Sequence, residues 1–121
     1  MQNELHDYII NKKKEKMKLN IQERLTLVNL VPERGNFETM TTVEKLKKVL
    51  YLSEEEVKEF EVQVIENKSK WNDKGSERKE IEISELGMSL LKKTLKSIDE
   101  AEQLSTPQYQ IFKRIKEEQK E

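Results

Sequence analysis

No cysteine occurs among the 121 residues of the chain. Disulfides, thiolate nucleophiles and every Cys-containing zinc site are therefore excluded. The absence suits a reducing compartment, where a small domain is held by packing alone. Histidine occurs once, as His6, close to Glu4 and Asp7. A catalytic general base is usually held by a third group on a rigid element, so His6 is expected to be an ordinary surface histidine. One histidine without cysteine does not assemble a typical transition-metal site. Gly35, Gly75 and Gly87 stand alone, so there is no glycine-rich phosphate loop. Asn72-Asp73-Lys74-Gly75 lacks the acid spacing of a calcium loop. No motif implies a cofactor, and with so many acids nothing singles out a catalytic carboxylate pair; we expect no enzyme. Long apolar runs are missing too, so no membrane span is expected. Met1–Asp7 carries two acids and leads to no apolar core, unlike a secretory signal. The expectation is a cytoplasmic protein without membrane contact.

Charge of one sign is also lacking. Twenty-three Lys and Arg face 24 Asp and Glu, a net charge of −1. No overall field draws the chain to nucleic acid or to an anionic membrane. What is abundant is charge of both signs, at 39% of residues against 34% apolar. That balance predicts a thin core and a heavily solvated surface. The length fits one domain, which buries roughly 65% of its unfolded surface.

Lys12-Lys13-Lys14-Glu15-Lys16-Met17-Lys18 carries a local excess of positive charge, preceded by Leu5, Tyr8, Ile9 and Ile10. Residues 1–19 are expected to be a mobile basic leader, with 20–121 as a single domain. The other reading of the leader is a short helix that docks on a partner or on the domain itself.

Three capped helices should follow. Asn20 with Glu23 makes a capping box before Ile21, Leu25, Leu27, Val28 and Val31, and Pro32 and Gly35 end that helix. Thr41 or Thr42 should open the next, with Val43, Leu46, Val49 and Leu50 as its apolar stripe. Ser53 with Glu56 is the cleanest capping box, with Leu52 and Val57 placed as a hydrophobic staple and Glu54, Glu55 and Glu56 on the positive end of the helix dipole. The period then falls to two. Phe60, Val62 and Val64 alternate with Glu61 and Gln63, and Ile81 and Ile83 with Glu80 and Glu82. Asn72–Gly75 is turn chemistry. These features predict an antiparallel hairpin of strands 60–68 and 78–84, with Trp71 in its polar tip. Ser84 caps a long helix striped by Leu86, Leu90, Leu91, Leu95, Ile98 and Ala101, expected over about 85–104. A C-terminal helix, about 107–118, should start with Thr106 as cap and Pro107 inside it. Residues Lys116–Glu121 are expected to fray.

The predicted fold class is α+β, mainly α. The order of helix, helix, helix and hairpin (about 60–84) resembles a winged helix-turn-helix core, followed by the long helix and a C-terminal extension. Tyr51-Leu52-Ser53-Glu54-Glu55-Glu56-Val57 resembles the turn and start of its recognition helix. Against groove reading stands the charge of that segment: Glu54, Glu55, Glu56, Glu59 and Glu61 face only Lys58, and phosphates would repel them. Ile21 to Phe37, IQERLTLVNLVPERGNF, with the later Trp71-Asn72 pair and Glu80–Ile83, is similar to small proteins encoded by phages and prophages. That resemblance implies a mobile-element origin and no known active site. It would suit inhibition of a host protein, a part in virion assembly, or phage gene control.

The leading expectation is a non-enzymatic protein-binding adaptor or inhibitor, with Glu54, Glu55, Glu59, Tyr109 and Phe112 as candidate protein contacts. The alternative is a nucleic-acid-binding winged helix using Lys12, Lys13, Lys14, Lys68, Lys70, Trp71, Lys74 and Arg78, where exposed lysines meet phosphates and the indole stacks on a base. A third is a self-assembling subunit, since leucine-striped charged helices often pair into symmetric dimers.

Overall fold

The structure, a computed structural model, describes residues 14–118. In chain order the elements are β1 (Lys14–Leu19), α1 (Ile21–Val28), α2 (Phe37–Leu50), α3 (Glu54–Glu59), β2 (Gln63–Ile65), β3 (Lys68–Lys70), a 3-10 turn (Asp73–Ser76), β4 (Lys79–Ser84), α4 (Glu85–Glu100) and α5 (Thr106–Glu118). The fold is α+β and mainly helical.

The strand pairing differs from the expectation. β4 does not pair with the segment following Phe60. It pairs antiparallel with β1, placing Met17 opposite Ile81 and Glu15 opposite Ile83. Residues 14–19 are thus a strand and no mobile leader; residues 1–13, with His6, Lys12 and Lys13, lie outside the described residues. Period two in 79–84 showed that one face is buried, and the local sequence cannot say which strand lies alongside. Lys14–Leu19 alternates as well, but its apolar face holds only Met17 and Leu19, both buried, amid lysines. The register follows from this alternation. Lys16 and Lys18 lie opposite Glu82 and Glu80 on the outer face, and a slip of one residue would bury the lysines. The Lys16 ammonium sits 3.6 Å from the Glu80 carboxylate.

Within the expected first strand and tip lies a separate small hairpin, β2–β3. Its two turn residues, Glu66 and Asn67, have φ of 51° and 65°, the signature of a type I′ turn. Asn72–Gly75, expected as the hairpin turn, is instead the Asn72-capped start of the 3-10 turn. All residues of β2 and β3 are exposed, so this hairpin adds nothing to the core. With the two longer strands in different company, the wing of the expected winged helix is not formed as drawn.

The helix caps follow the sequence closely, with two shifts. Asn20 with Glu23 and Ser53 with Glu56 form complete capping boxes, and the Ser84 hydroxyl accepts from Gly87 N–H. α2 begins at Phe37 under an Asn36 cap, ahead of Thr41. Thr41 and Thr42 spend their hydroxyls on carbonyls one turn back. α5 is capped by Ser105 with Gln108, one residue before Thr106, and runs through Lys116 to Glu118 without fraying over that stretch. Both α3 and α4 end in a Schellman arrangement. Val62 N–H reaches Val57 and Glu61 N–H reaches Lys58; Gln103 N–H reaches Ile98 and Glu102 N–H reaches Asp99. The left-handed residue is a glutamate each time, Glu61 at φ 50° and Glu102 at φ 57°.

One apolar cluster joins Met17, Leu19, Ile81 and Ile83 of the ribbon to Leu27 and Val28 of α1, Val43, Leu46 and Leu50 of α2, Met88, Leu91 and Leu95 of α4, and Ile111, Phe112 and Ile115 of α5. Each fully buried aliphatic side chain there contributes roughly 1.5–3 kcal/mol. Gly87 lets the first turn of α4 approach α2: a Cβ there would lie 2.8 Å from Leu46 Cδ2. That close approach sets the spacing of the surface groove described below.

Candidate functional site

The charged residues fall into two locked clusters and one open trough. The first lock centres on Arg24, which is 3% exposed. Its Nε donates to Leu50 O at 3.0 Å, and Nη2 donates to Tyr51 O at 2.8 Å. Nη1 donates to Glu56 Oε2 at 2.8 Å, and Lys79 Nζ reaches the same oxygen at 3.2 Å. Glu56 also accepts from Ser53 N–H as the reciprocal half of its capping box. The Arg24 guanidinium, opposing the cost of burial, holds the Glu56 carboxyl at about 2 instead of 4.5. This one pair ties α1 to the end of α2, the start of α3 and β4.

The second lock centres on Glu23. Burial pushes its carboxyl up, but Asn20 N–H and the guanidinium groups of Arg78 and Arg114 outweigh that and hold it below its ordinary value. Arg114 Nη1 donates to Glu23 at 2.7 Å and Nη2 donates to Lys18 O at 2.8 Å, fastening α5 to α1 and β1. Among the described residues no buried side-chain polar atom lacks a partner. Every group of both locks is engaged in holding elements together, and neither offers a free acid, base or nucleophile.

The sequence-derived candidates scatter. Glu54, Glu55 and Glu59 are exposed on α3, and Tyr109 is exposed on α5. Phe112, unlike Tyr109, is buried in the core, with Lys116 Nζ 4.5 Å from its ring centroid. Lys68 and Lys70 are exposed on β3, while Lys74 is exposed on the 3-10 turn. Trp71 is half-buried with its ring against Gly75, and Arg78 is bonded to Glu23. Lys14 pairs with Ser84 in β1–β4. Lys12 and Lys13, also candidates for nucleic-acid contact, lie outside the described residues.

What the structure does assemble was not marked as a site by the sequence. A groove of about 500 Å³ runs between α2 and the β4–α4 junction, lined by Phe37, Thr42, Leu46 and Val49 on one side and by Glu82, Ser84 and Leu86 on the other. Phe37 is 89% exposed, Leu86 54% and Val49 37%. A second hollow shares Lys48, Val49 and Glu82 with it and follows Lys79–Glu82 toward Tyr51 and Leu52. There β4 has no strand neighbour among the described residues. A third hollow shares Glu38, Thr42 and Leu86 and continues to Leu90. Together they form one trough with an apolar floor and a charged rim. The signal that could have located it was excess width: Leu86 extends the apolar stripe of α4 beyond what one buried face requires, and Phe37 sits outside the stripe of α2.

Among the described residues no cluster of carboxylates or imidazole is placed to hold a metal ion, and no helix is long and apolar enough to cross a membrane. The chain matches no protein-family model, no curated protein and no solved structure.

Proposed function

We propose that the protein is a non-enzymatic protein-binding module that receives an apolar segment of a partner in the trough between α2 and the β4–α4 junction. The observation that carries this reading is the convergence of Phe37, Val49 and Leu86, all exposed, on one concave surface. Concave apolar surface with a polar rim is the usual form of a docking site. The edge of β4 that has no strand neighbour among the described residues adds main-chain donors and acceptors along one end, the arrangement that captures extended peptides by strand addition. The resemblance of Ile21–Phe37 to phage and prophage proteins suits an adaptor or an inhibitor of a host protein.

Peptide display against the full chain tests it, with Val49→Asp as the counter-selection target. Val49 is part-exposed, so the variant keeps its core. Recovered peptides should carry apolar anchors and lose binding to the variant. Enrichment of no peptide over Val49→Asp would overturn the reading. A salt-sensitive shift of nucleic acid in the same preparation would point instead to the winged-helix-type alternative through Lys68 and Lys70. Dimerisation abolished by Val49→Asp would make the partner a second copy.

A further inference from the structure

We infer that the partner enters the trough as an extended strand of basic side chains alternating with apolar ones, bonded through its main chain to β4. The inference rests on the trough being a docking surface and names the chemistry of what docks there.

The first support is the main chain of β4. In an antiparallel pair only alternate residues turn their N–H and C=O toward the neighbouring strand, and the others point away from it. β1 takes up one edge of Lys79–Ser84. Among the described residues no second strand lies along the other edge, and no turn or loop main chain bonds to Lys79–Ile83. The second hollow, about 390 Å³, flanks that edge: Lys79, Glu80, Ile81 and Glu82 face Lys48 and Val49 across it. Among the described residues none of β1 lines it. An added strand would run roughly 4.8 Å beyond β4, on that side.

The second support is the strand that β4 already holds. Lys16 and Lys18 lie opposite Glu82 and Glu80 on the outer face, while Met17 lies opposite Ile81 on the buried one. Side chains stand roughly perpendicular to a sheet, so β4 shows the same two rows to both of its neighbours. A strand on the far edge would turn its outward side chains toward Glu80 and Glu82. Its inward ones would meet Val49 and, toward Ser84, Leu86, both exposed. The third support is unspent charge. Lys16 reaches Glu80 at 3.6 Å. Glu82 and Glu85 line the groove, are exposed, and form no ion pair among the described residues. Lys45 and Lys48 stand on the α2 wall. The two walls differ in sign, and a segment bonded to β4 lies against the acidic one. Opposite charges directly across a strand pair attract, and like charges there cost stability.

Fluorescence anisotropy with synthetic peptides and the full chain tests it. The probe alternates lysine and valine and is long enough to pair with the six residues of β4. It is compared with a glutamate–valine alternation and with a block peptide, all lysines before all valines. Two further versions carry N-methyl groups on the lysines only or on the valines only, which blocks one edge of the strand at a time. The lysine–valine probe should bind roughly tenfold more tightly than the glutamate–valine peptide. One methylated version should bind roughly tenfold more weakly or worse, and the other like the probe. Amide signals of Lys79–Ser84 and Val49 should move on binding. Glu82→Lys should invert the preference between lysine and glutamate peptides, and the milder Glu82→Gln should narrow it. Equal binding of the two alternations, a block peptide that binds as well as the probe, or two methylated versions that behave alike overturns the inference. So does a β4 edge protected from hydrogen exchange in the free chain while the probe stays unbound. The occupant is then the chain itself, or a second copy if the protection grows with concentration. Display-selected peptides that are lost on Val49→Asp but indifferent to methylation refute the strand mode alone. Failure of both the display and the probe removes the docking reading with it.

Discussion

Replacing Glu56 with Gln leaves Arg24 inside the protein with its charge and without its counter-charge. The guanidinium keeps the Leu50 and Tyr51 carbonyls but loses the carboxylate that both Nη atoms address. Removing one partner of a buried pair costs about 3–5 kcal/mol. The pKa gives the same size by another route. A carboxyl held at about 2 instead of 4.5, at 1.36 kcal/mol per pH unit, corresponds to roughly 3 kcal/mol. These are two views of one interaction and do not add. The folded-state value is depressed, so the stabilisation is fully present above pH 4.5 and fades as the pH falls toward 2. Urea unfolding followed by far-UV circular dichroism and by fluorescence of Trp71, the sole tryptophan, measures it. With a slope near 2 kcal/mol per molar urea, Glu56→Gln should lower the midpoint by about 1.5 M at neutral pH. The gap should shrink to a fraction of that near pH 2.5. A midpoint lowered by less than about 0.5 M, or a gap that is the same at both pH values, would refute the assignment of Arg24–Glu56 as a charged lock. The pair Arg24→Met/Glu56→Leu, which removes both charges, should cost less than Glu56→Gln alone, because burying unpaired charge is the expensive part.

Gly75→Ala should destabilise by about 1–3 kcal/mol and shift the Trp71 emission in the native state, because the new methyl would lie 2.6 Å from both Trp71 Cδ1 and Ile21 Cδ1; thermal melts with native-state spectra check both. Glu102→Gly should raise stability by roughly 1 kcal/mol, since glycine takes the left-handed position that closes α4 without the Cβ penalty; a melting temperature below the parent's would contradict it. Asn36→Ala should cost about 1 kcal/mol by removing the cap that Asn36 Oδ1 gives Thr39 N–H; circular dichroism melts would show no change if α2 began at Thr41 instead.

The sequence by itself determined the local grammar of this protein. Asn20–Glu23 and Ser53–Glu56 are capping boxes because a side-chain oxygen three residues from a free N–H can hardly do otherwise. Ser84 marked the start of α4, and the two-residue period of Lys79–Ser84 marked a strand with one buried face. Two helix ends were hidden, because Glu61 and Glu102 occupy positions that usually announce themselves as glycine. Only the tertiary structure decided that β4, starting at Lys79, takes Lys14–Leu19 as its neighbour, far away along the chain. Alternation fixes which side of a strand is buried, but pairing is a choice among strands, settled by total burial and by lysines meeting glutamates across the ribbon. Arg24 reads locally as one more surface charge; its burial exists only because α1, α2, α3 and β4 converge on it. The trough is of the same kind. Phe37, Val49 and Leu86 lie on two separate helices, and nothing short of the packing of α2 against α4 could bring them to one surface.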